Sequence, residues 1–280
     1  LASLRDLKQR IANVESTEQI IRAMDMIAST KLHRARAQLE GVRPIYRELK
    51  GLVEDLRCEK EAQHHQYYKE REVQSSLYII LTSDRGFSGA YNANIMSEAI
   101  SHMSQGKNEK ILIVGSKGKE YFKRKKKNII RAITDVDDTQ VYYGSESVAK
   151  WTIELFLSQE VDEVFLAYTE FENILNHIPR VERLLPIGIT SQNQEDKGDN
   201  RYEQGINVYM DYLIPLYLHM SLFRAISESH TSEHASRMIS MDSAGKNAEE
   251  MIEDLTRMYN RQRQAAITQE ISEIIGSTNI

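Results

Sequence analysis

Several short runs in this chain of 280 residues carry side chains that could do chemistry if their geometry allowed it. His230-Thr-Ser-Glu233-His234 spells H-x-x-E-H, the inverted zinc-protease signature. On a helix that spacing sets two imidazoles one turn apart, as zinc binding needs. No third ligand is evident, and Ala235, Met238 and Met241 read as an apolar seam, so two solvated helix histidines are expected. Gly115-Ser-Lys-Gly118-Lys119 follows a strand and opens a helix, where phosphate-binding loops sit. The run is too short for Walker spacing, and Glu120 stands where a hydroxyl would hold magnesium, so a tight strand-to-helix turn is expected instead. Ser83-Asp84-Arg85-Gly86 through Gly89 lacks a complete G-x-G-x-x-G, and its Asp–Arg pair is expected to cap and brace a turn. Lys123-Arg-Lys-Lys-Lys127 is the most basic run, read as a solvated helix end where cations favour the C-terminal dipole. No residue here makes a convincing acid, base, nucleophile or metal ligand, and no cofactor is expected.

The elements that position these runs are of two kinds. In steps of seven, Leu7, Val14, Ile21, Ala28, Ala35, Val42, Leu49 and Leu56 form one apolar row. A second row, Leu4, Ile11, Glu18, Asp25, Leu32, Leu39, Tyr46 and Val53, is apolar except at two adjacent steps. Alternating spacings of three and four make a coiled-coil seam. Such a helix would run roughly 80 Å, and the helix-rich stretch from Ile206 to Gly276 about 100 Å. Each end of the chain offers the other a partner. Pro44 and Pro215 are expected to kink these helices rather than end them. Glu18 and Asp25 interrupt the seam, and a buried unpaired carboxylate is costly, so local splaying or solvation is the plain reading.

Between the ends the period changes. Strands are expected at 77–82, 110–115, 129–133, 163–168 and 181–187, with helices at 92–103, 117–125 and 145–157. Strands alternating with helices argue for an α/β fold with a mostly parallel sheet, covered on both faces, and a last strand antiparallel at an edge. The boundaries read from this are an N-terminal coiled-coil helix at 1–58, a linker at 59–74, a central α/β domain at 75–190, a polar loop at 191–205 and a C-terminal coiled-coil helix at 206–280.

Bulk properties narrow the field. A net charge of −5 argues against a general nucleic-acid binder. One cysteine, Cys58, permits no internal disulfide. No run approaches the length of a membrane span, and no signal peptide is read, so any membrane connection is expected through another protein.

Two segments carry a family likeness: Thr17-Glu-Gln-Ile-Ile-Arg-Ala-Met-Asp-Met-Ile-Ala-Ser-Thr-Lys31 and Leu255-Thr-Arg-Met-Tyr-Asn-Arg-Gln-Arg-Gln-Ala-Ala-Ile-Thr-Gln-Glu-Ile-Ser-Glu-Ile-Ile-Gly276. Both resemble the gamma subunit of rotary F-type ATP synthases, as does Leu81-Thr-Ser-Asp-Arg-Gly-Phe-Ser-Gly-Ala-Tyr-Asn92. The resemblance implies an antiparallel coiled coil of the two end helices, a central Rossmann-like α/β domain, and a non-catalytic rotor turning inside a hexamer of alpha and beta subunits. It further implies an epsilon subunit on the α/β domain, a membrane ring of c subunits below, and residence at the cytoplasmic face of a bacterial plasma membrane. Arg263, Gln264 and Thr268 are implied to contact a beta subunit, with Met24 lying opposite them. Ile271, Ile274 and Ile275 are implied to form an apolar tip in the hexamer's collar, and Tyr202 and Glu203 a foot on the c-ring. Asp84 and Arg85 are implied to form a further contact loop, and the acidic breaks Glu18 and Asp25 are implied to fall where the shaft is held. An α/β nucleotide-binding protein with a coiled-coil arm is the alternative; it predicts nucleotide binding by the isolated chain. A tethering coiled coil would instead form homodimers.

Overall fold

The computed structural model describes residues 3–56, 64–104, 108–135, 141–188 and 205–278, with side chains as far as Ile274. Cys58, Tyr202, Glu203 and the side chain of Ile275 therefore lie outside the described residues. The contacts divide the chain into two units, Lys31–Ser236 and the paired segments Leu1–Thr30 with Arg237–Ile280.

The first unit is built on β1 (Ser76–Leu81), β2 (Glu109–Val114), β3 (Ile129–Ile133), β4 (Glu163–Phe171) and β5 (His177–Leu185), in the order β3-β2-β1-β4-β5. β1 to β4 pair in parallel and β5 closes one edge antiparallel to β4. β1 is buried at every position because successive side chains enter opposite cores. Leu77, Ile79 and Leu81 pack with α4 (Val141–Leu157), with the end of α1 (Leu4–Leu56) through Val42, Leu49 and Val53, and with the start of α5 (Ile206–Thr278). Tyr78 and Ile80 enter the other core, with Ile95, Ala99 and Met103 of α2 (Tyr91–Met103) and Phe122 of α3 (Ser116–Arg124).

β5 begins earlier than the apolar pattern suggests, taking in Pro179 opposite Thr169. An edge strand tolerates a residue with no N–H to donate. The polar stretch before β1 also hides two core residues. Tyr67 and Tyr68 are buried, the Tyr68 hydroxyl donates to the Val53 carbonyl at 3.1 Å, and the Ile187 N–H donates to the Tyr67 carbonyl at 2.8 Å.

α1 starts on a reciprocal cap, in which the Ser3 N–H donates to Asp6 and the Asp6 N–H to the Ser3 hydroxyl, both at 3.1 Å. It continues through Pro44, and α5 continues through Pro215. Going back along α1 from Tyr46 through Arg43 to Arg22, the partners on α5 advance from Arg224 through Glu228 to Glu249, so the two helices run antiparallel. In the second unit the expected heptad rows of α1 are covered, with Leu7 and Ala28 buried and Leu4, Ile11, Val14, Glu18, Ile21 and Asp25 half-buried, and Met24 beside them is half-buried as well. On α5 a covered row runs Met241, Gly245, Ala248, Ile252, Leu255, Tyr259, Gln262 and Ala266, again at spacings of three and four. Gly245 faces Ile21, and a Cβ there would sit in ordinary contact, 3.8 Å from the Ile21 Cγ2.

Candidate partner-contact surface

The runs with catalytic spelling prove to be packing devices. Glu233 and His234 are buried and His230 is half-buried, which corrects the expectation of solvated histidines. α5 here lies on the ends of β4 and on the loop after β1, and its small hydroxyls make that polar contact good. The Thr169 N–H donates to the Ser229 hydroxyl at 3.2 Å, Ser232 donates to the Thr169 carbonyl at 3.3 Å, and Ser236 donates to the Ser88 carbonyl at 2.8 Å. Among the described residues no group of three or more His, Cys, Asp or Glu could hold a metal ion.

The strand-to-helix turn at Gly115 is closed by Thr82. A Cβ on Gly115, whose φ is +100°, would sit 2.2 Å from the Thr82 carbonyl oxygen, and one on Gly118 would sit 2.6 Å from the Thr82 Oγ1. The Thr82 hydroxyl donates to the Val114 carbonyl at 2.8 Å and accepts from the Gly118 N–H at 3.1 Å. A helix N–H that a phosphate would need is thus already engaged. Asp84 braces the same corner, accepting from the Ser116 N–H and hydroxyl at 2.8 Å each and from the Asp135 N–H at 3.0 Å. Arg85 and Phe87 stand exposed beside it. The Lys123–Lys127 run does close a helix, since α3 ends at Arg124 with Lys123 and Arg124 in its last turn.

The acidic breaks in the α1 seam behave differently from each other. Glu18 is covered but paired, its carboxylate 2.6 Å from Arg22, which also reaches Glu249 at 2.6 Å. Asp25 has one carboxylate oxygen buried with no hydrogen-bond partner among the described residues. Seam packing covers these side chains, so neither is simply solvated.

A buried charge cluster joins four elements of the α/β unit. Arg224 on α5 reaches Glu182 on β5 at 2.6 Å, the Tyr168 hydroxyl on β4 at 2.9 Å and Glu228 one turn on at 3.4 Å. Arg43 on α1 reaches Glu228 at 3.4 Å and donates to the Phe171 carbonyl at 2.6 Å. The Arg224 guanidinium lies 4.4 Å from the Tyr46 ring and 4.8 Å from that of Tyr168. Burial pulls its pKa down, but Glu182, Tyr168, Tyr46 and Glu228 together hold it above the ordinary arginine value. Burial drives both tyrosine hydroxyls well above their usual range, so all three groups keep their protons at any physiological pH.

The remaining notable surface is apolar. On α1 of the second unit Ile20, Met26 and Ile27 are exposed, Met26 by 72%; on α5 Met251, Met258, Ile267, Ile271 and Ile274 are exposed, Ile274 by 65%. These residues lie off the seam, in stripes of their own: Ile20 and Ile27 are seven apart, as are Met251 and Met258, and Ile267, Ile271 and Ile274 follow at four and three. Of these, Ile271 and Ile274 are named by the family resemblance, while Ile20 with Ile27 and Met251 with Met258 mark further apolar positions at heptad spacing. Arg263, Gln264 and Thr268 are exposed among them, with the Thr268 hydroxyl donating back to the Gln264 carbonyl at 2.9 Å. Met24 is half-buried and does not lie opposite that motif. The contacts of Ile21 with Gly245 and of Arg22 with Glu249 set it roughly 25–30 Å along the helix from Arg263. The antiparallel register, which local sequence does not carry, makes this correction.

Exposed apolar stripes on a helix pair, joined in one chain to an α/β unit whose phosphate-like turn is filled by its own side chains, define a class of protein that works through surfaces it offers to others. The comparisons with known proteins name the family. Residues 3–279 match the family model described as ATP synthase. The chain is 38% identical to the ATP synthase gamma chain of Moorella thermoacetica over 280 residues, covering 100% of this chain and 99% of the relative. It is 36% identical to that of Alkaliphilus metalliredigens, covering 97% and 96%. Among solved structures it resembles a chain of the Euglena gracilis mitochondrial ATP synthase rotor, with a TM-score of 0.66 at 16% identity over 94% of this chain and 98% of that one. A chain of the Tetrahymena thermophila mitochondrial ATP synthase central stalk and c-ring gives 0.63 at 22% identity over 80% and 99%. The chain belongs to the ATP synthase gamma chain family.

Proposed function

We propose that the chain is the central-stalk rotor of an F-type ATP synthase, coupling ion flow through a membrane c-ring to ATP synthesis or hydrolysis in an alpha/beta hexamer. The observation that carries this reading is the set of exposed apolar stripes on a seamed helix pair, in a family member matched over its full length. The chain is non-catalytic. Its part is mechanical: a seam that covers one face of each helix leaves the outer faces to a surrounding collar. Apolar contact has no preferred direction, so Ile271, Ile274 and Ile275 turn within the collar without a bond to break at each step. Directional contacts act lower down, where Arg263, Gln264 and Thr268 engage one beta subunit at a time. Met24 engages a beta subunit at a second level along the shaft.

The epsilon subunit binds the α/β domain, where Arg85 and Phe87 stand exposed beside the Asp84 brace. Tyr202 and Glu203 form the foot on the c-ring. Functional domains follow the boundaries 1–58, 59–74, 75–190, 191–205 and 206–280. Among the described residues no helix is long and apolar enough to cross a membrane, so attachment is through partners, at the cytoplasmic face of a bacterial plasma membrane. The bacterial relatives support that placement.

Co-purification tests the reading: a complex with three alpha and three beta chains per copy of this chain is expected. A chain that purifies alone and binds ATP at micromolar concentration in calorimetry would overturn it in favour of a nucleotide-binding protein.

A further inference from the structure

We propose that the Arg224 cluster is the anchor through which torque passes between the α/β domain and the helix pair, with Arg224, Glu228, Glu182 and Arg43 as positioning residues for rotary coupling. The inference rests on the rotor reading above. A rotor of this build must keep its helices from slipping against the sheet when the two ends are driven and loaded in opposite senses. The apolar core that α1 and α5 share with the sheet resists separation, but its contacts are non-directional and permit twist and axial creep. Charge-assisted hydrogen bonds have preferred lengths and angles and resist both.

The cluster is the place where such bonds tie every relevant element. α5 supplies Arg224 and Glu228, α1 supplies Arg43 and Tyr46, β4 supplies Tyr168 and the backbone of Phe171, and β5 supplies Glu182. Glu228 is held from three sides: by Arg224 and Arg43 at 3.4 Å each, and by the Phe171 N–H at 3.3 Å. Two arginines face two glutamates, so the formal charges balance, and although burial raises the Glu228 pKa, Arg224 and Arg43 pull it back down. Removing either partner of the buried Arg224–Glu228 pair leaves the other poorly compensated. Arg43 also caps the Phe171 carbonyl at the end of β4. α1, α5 and the sheet thus meet in one bonded node, and among the described residues α1 and α5 are the elements of the sheet's unit whose chains run on into the helix-pair unit.

The test uses the assembled ATP synthase in vesicles, with ATP hydrolysis, ATP-driven ion pumping and subunit stoichiometry measured on each preparation. Two variants loosen the node in different ways. Arg224→Lys keeps the charge but removes the fork and the ring contact. Arg43→Ala removes the α1 bonds to Glu228 and to the Phe171 carbonyl and leaves Tyr46 against Arg224. A third, Leu218→Ala, truncates a buried apolar side chain of the same helix and leaves the node intact. Ions pumped per ATP hydrolysed are expected to fall several-fold in Arg224→Lys and Arg43→Ala, with hydrolysis retained within about twofold, and to be unchanged in Leu218→Ala. An unchanged ratio in the first two would overturn the proposal, as would an equal fall in Leu218→Ala, because the effect would then be general destabilisation. Failure of both polar variants to assemble would also overturn it, making the cluster an assembly element. If the unsubstituted complex lacked this chain or did not pump, the rotor reading itself would fall, an outcome distinct from these.

Discussion

The α/β unit and the helix-pair unit bury their apolar residues by opposite rules. In the first, Leu77, Ile79, Ile80, Leu112 and Leu166 are sealed from solvent, and even polar α5 residues such as Ser229, Thr231 and Ser232 are covered. In the second, among the described residues, full burial of apolar side chains reaches Leu7, Ala28, Met241 and Ala248 on the seam, while eight large apolar side chains stand in the open. A sheet with helices on both faces satisfies itself. Two helices sharing one seam can cover only one face each, and the uncovered apolar stripes mark the side on which another molecule completes the packing.

The contrast is sharpest at the core of β1. Ile79→Ala should destabilise the α/β unit by about 2–5 kcal/mol, the cost of a buried large-to-small change. Urea unfolding followed by circular dichroism would show the loss, and a midpoint unchanged from the unsubstituted chain would mean this core is not as tightly packed as its burial implies.

Two glycines test the comparison next, because the same substitution should have opposite signs in the two units. Gly115→Ala forces a Cβ against the Thr82 carbonyl at a positive φ, and should cost at least 2 kcal/mol, on the order of the strain of such backbone positions. Gly245→Ala places its Cβ in ordinary contact with Ile21 and removes a glycine from a helix interior, so it should stabilise the helix pair by up to about 1 kcal/mol. Thermal melts of both variants decide; destabilisation at Gly245 would show a tighter seam than the contact distance suggests.

On the exposed face of the helix pair the effect moves from stability to rate. Replacing both Arg263 and Gln264 by alanine should leave the melting temperature and the assembled complex unchanged. ATP hydrolysis should fall about tenfold, as loss of a hydrogen bond to a charged group worth roughly 1.5–3 kcal/mol would produce at one stage of rotation. Normal rates would mean that these residues face solvent throughout the cycle.

The smallest expected effect lies at His177, at the start of β5. Desolvation depresses its pKa, partly offset by a backbone hydrogen bond with Ile174, and its Nε2 is buried without a hydrogen-bond partner among the described residues. Below the ordinary imidazole value the unfolded chain therefore binds a proton that the folded chain resists, and stability falls with pH through that window. Nothing changes above it. His177→Gln should flatten the pH dependence of unfolding between about pH 7 and pH 5. A slope unaltered by the substitution would assign the dependence to other groups.

Much of the architecture was legible because its signals are periodic. The rows from Leu4 to Leu56 named the covered face of α1, and the strand runs at 77–82, 110–115, 129–133 and 163–168 fell on β1 to β4. The parallel order with an antiparallel last strand followed from the alternation. Among the site candidates, the bracing role of Asp84 and the closed turn at Gly115 were expected from their residue types. The burial of Glu233 and His234 was not, since a polar helix run reads as solvated unless a second surface with matching hydrogen bonds covers it.

The amino-acid sequence by itself determined which face of each long helix seeks a partner, where the chain switches from helical to alternating period, and which family its terminal motifs belong to. These are properties of neighbours along the chain, and spacing of three, four or two residues reports them directly. Only the tertiary structure decided that Met24 stands near the level of Gly245 rather than of Arg263, and that Arg43, Tyr168, Glu182, Arg224 and Glu228 meet in one buried cluster. Those facts depend on the axial register of two helices and on docking against a sheet edge. The heptad repeat fits several registers alike, and contacts such as Arg43 with Glu228 join residues too far apart in the chain for any local pattern to record.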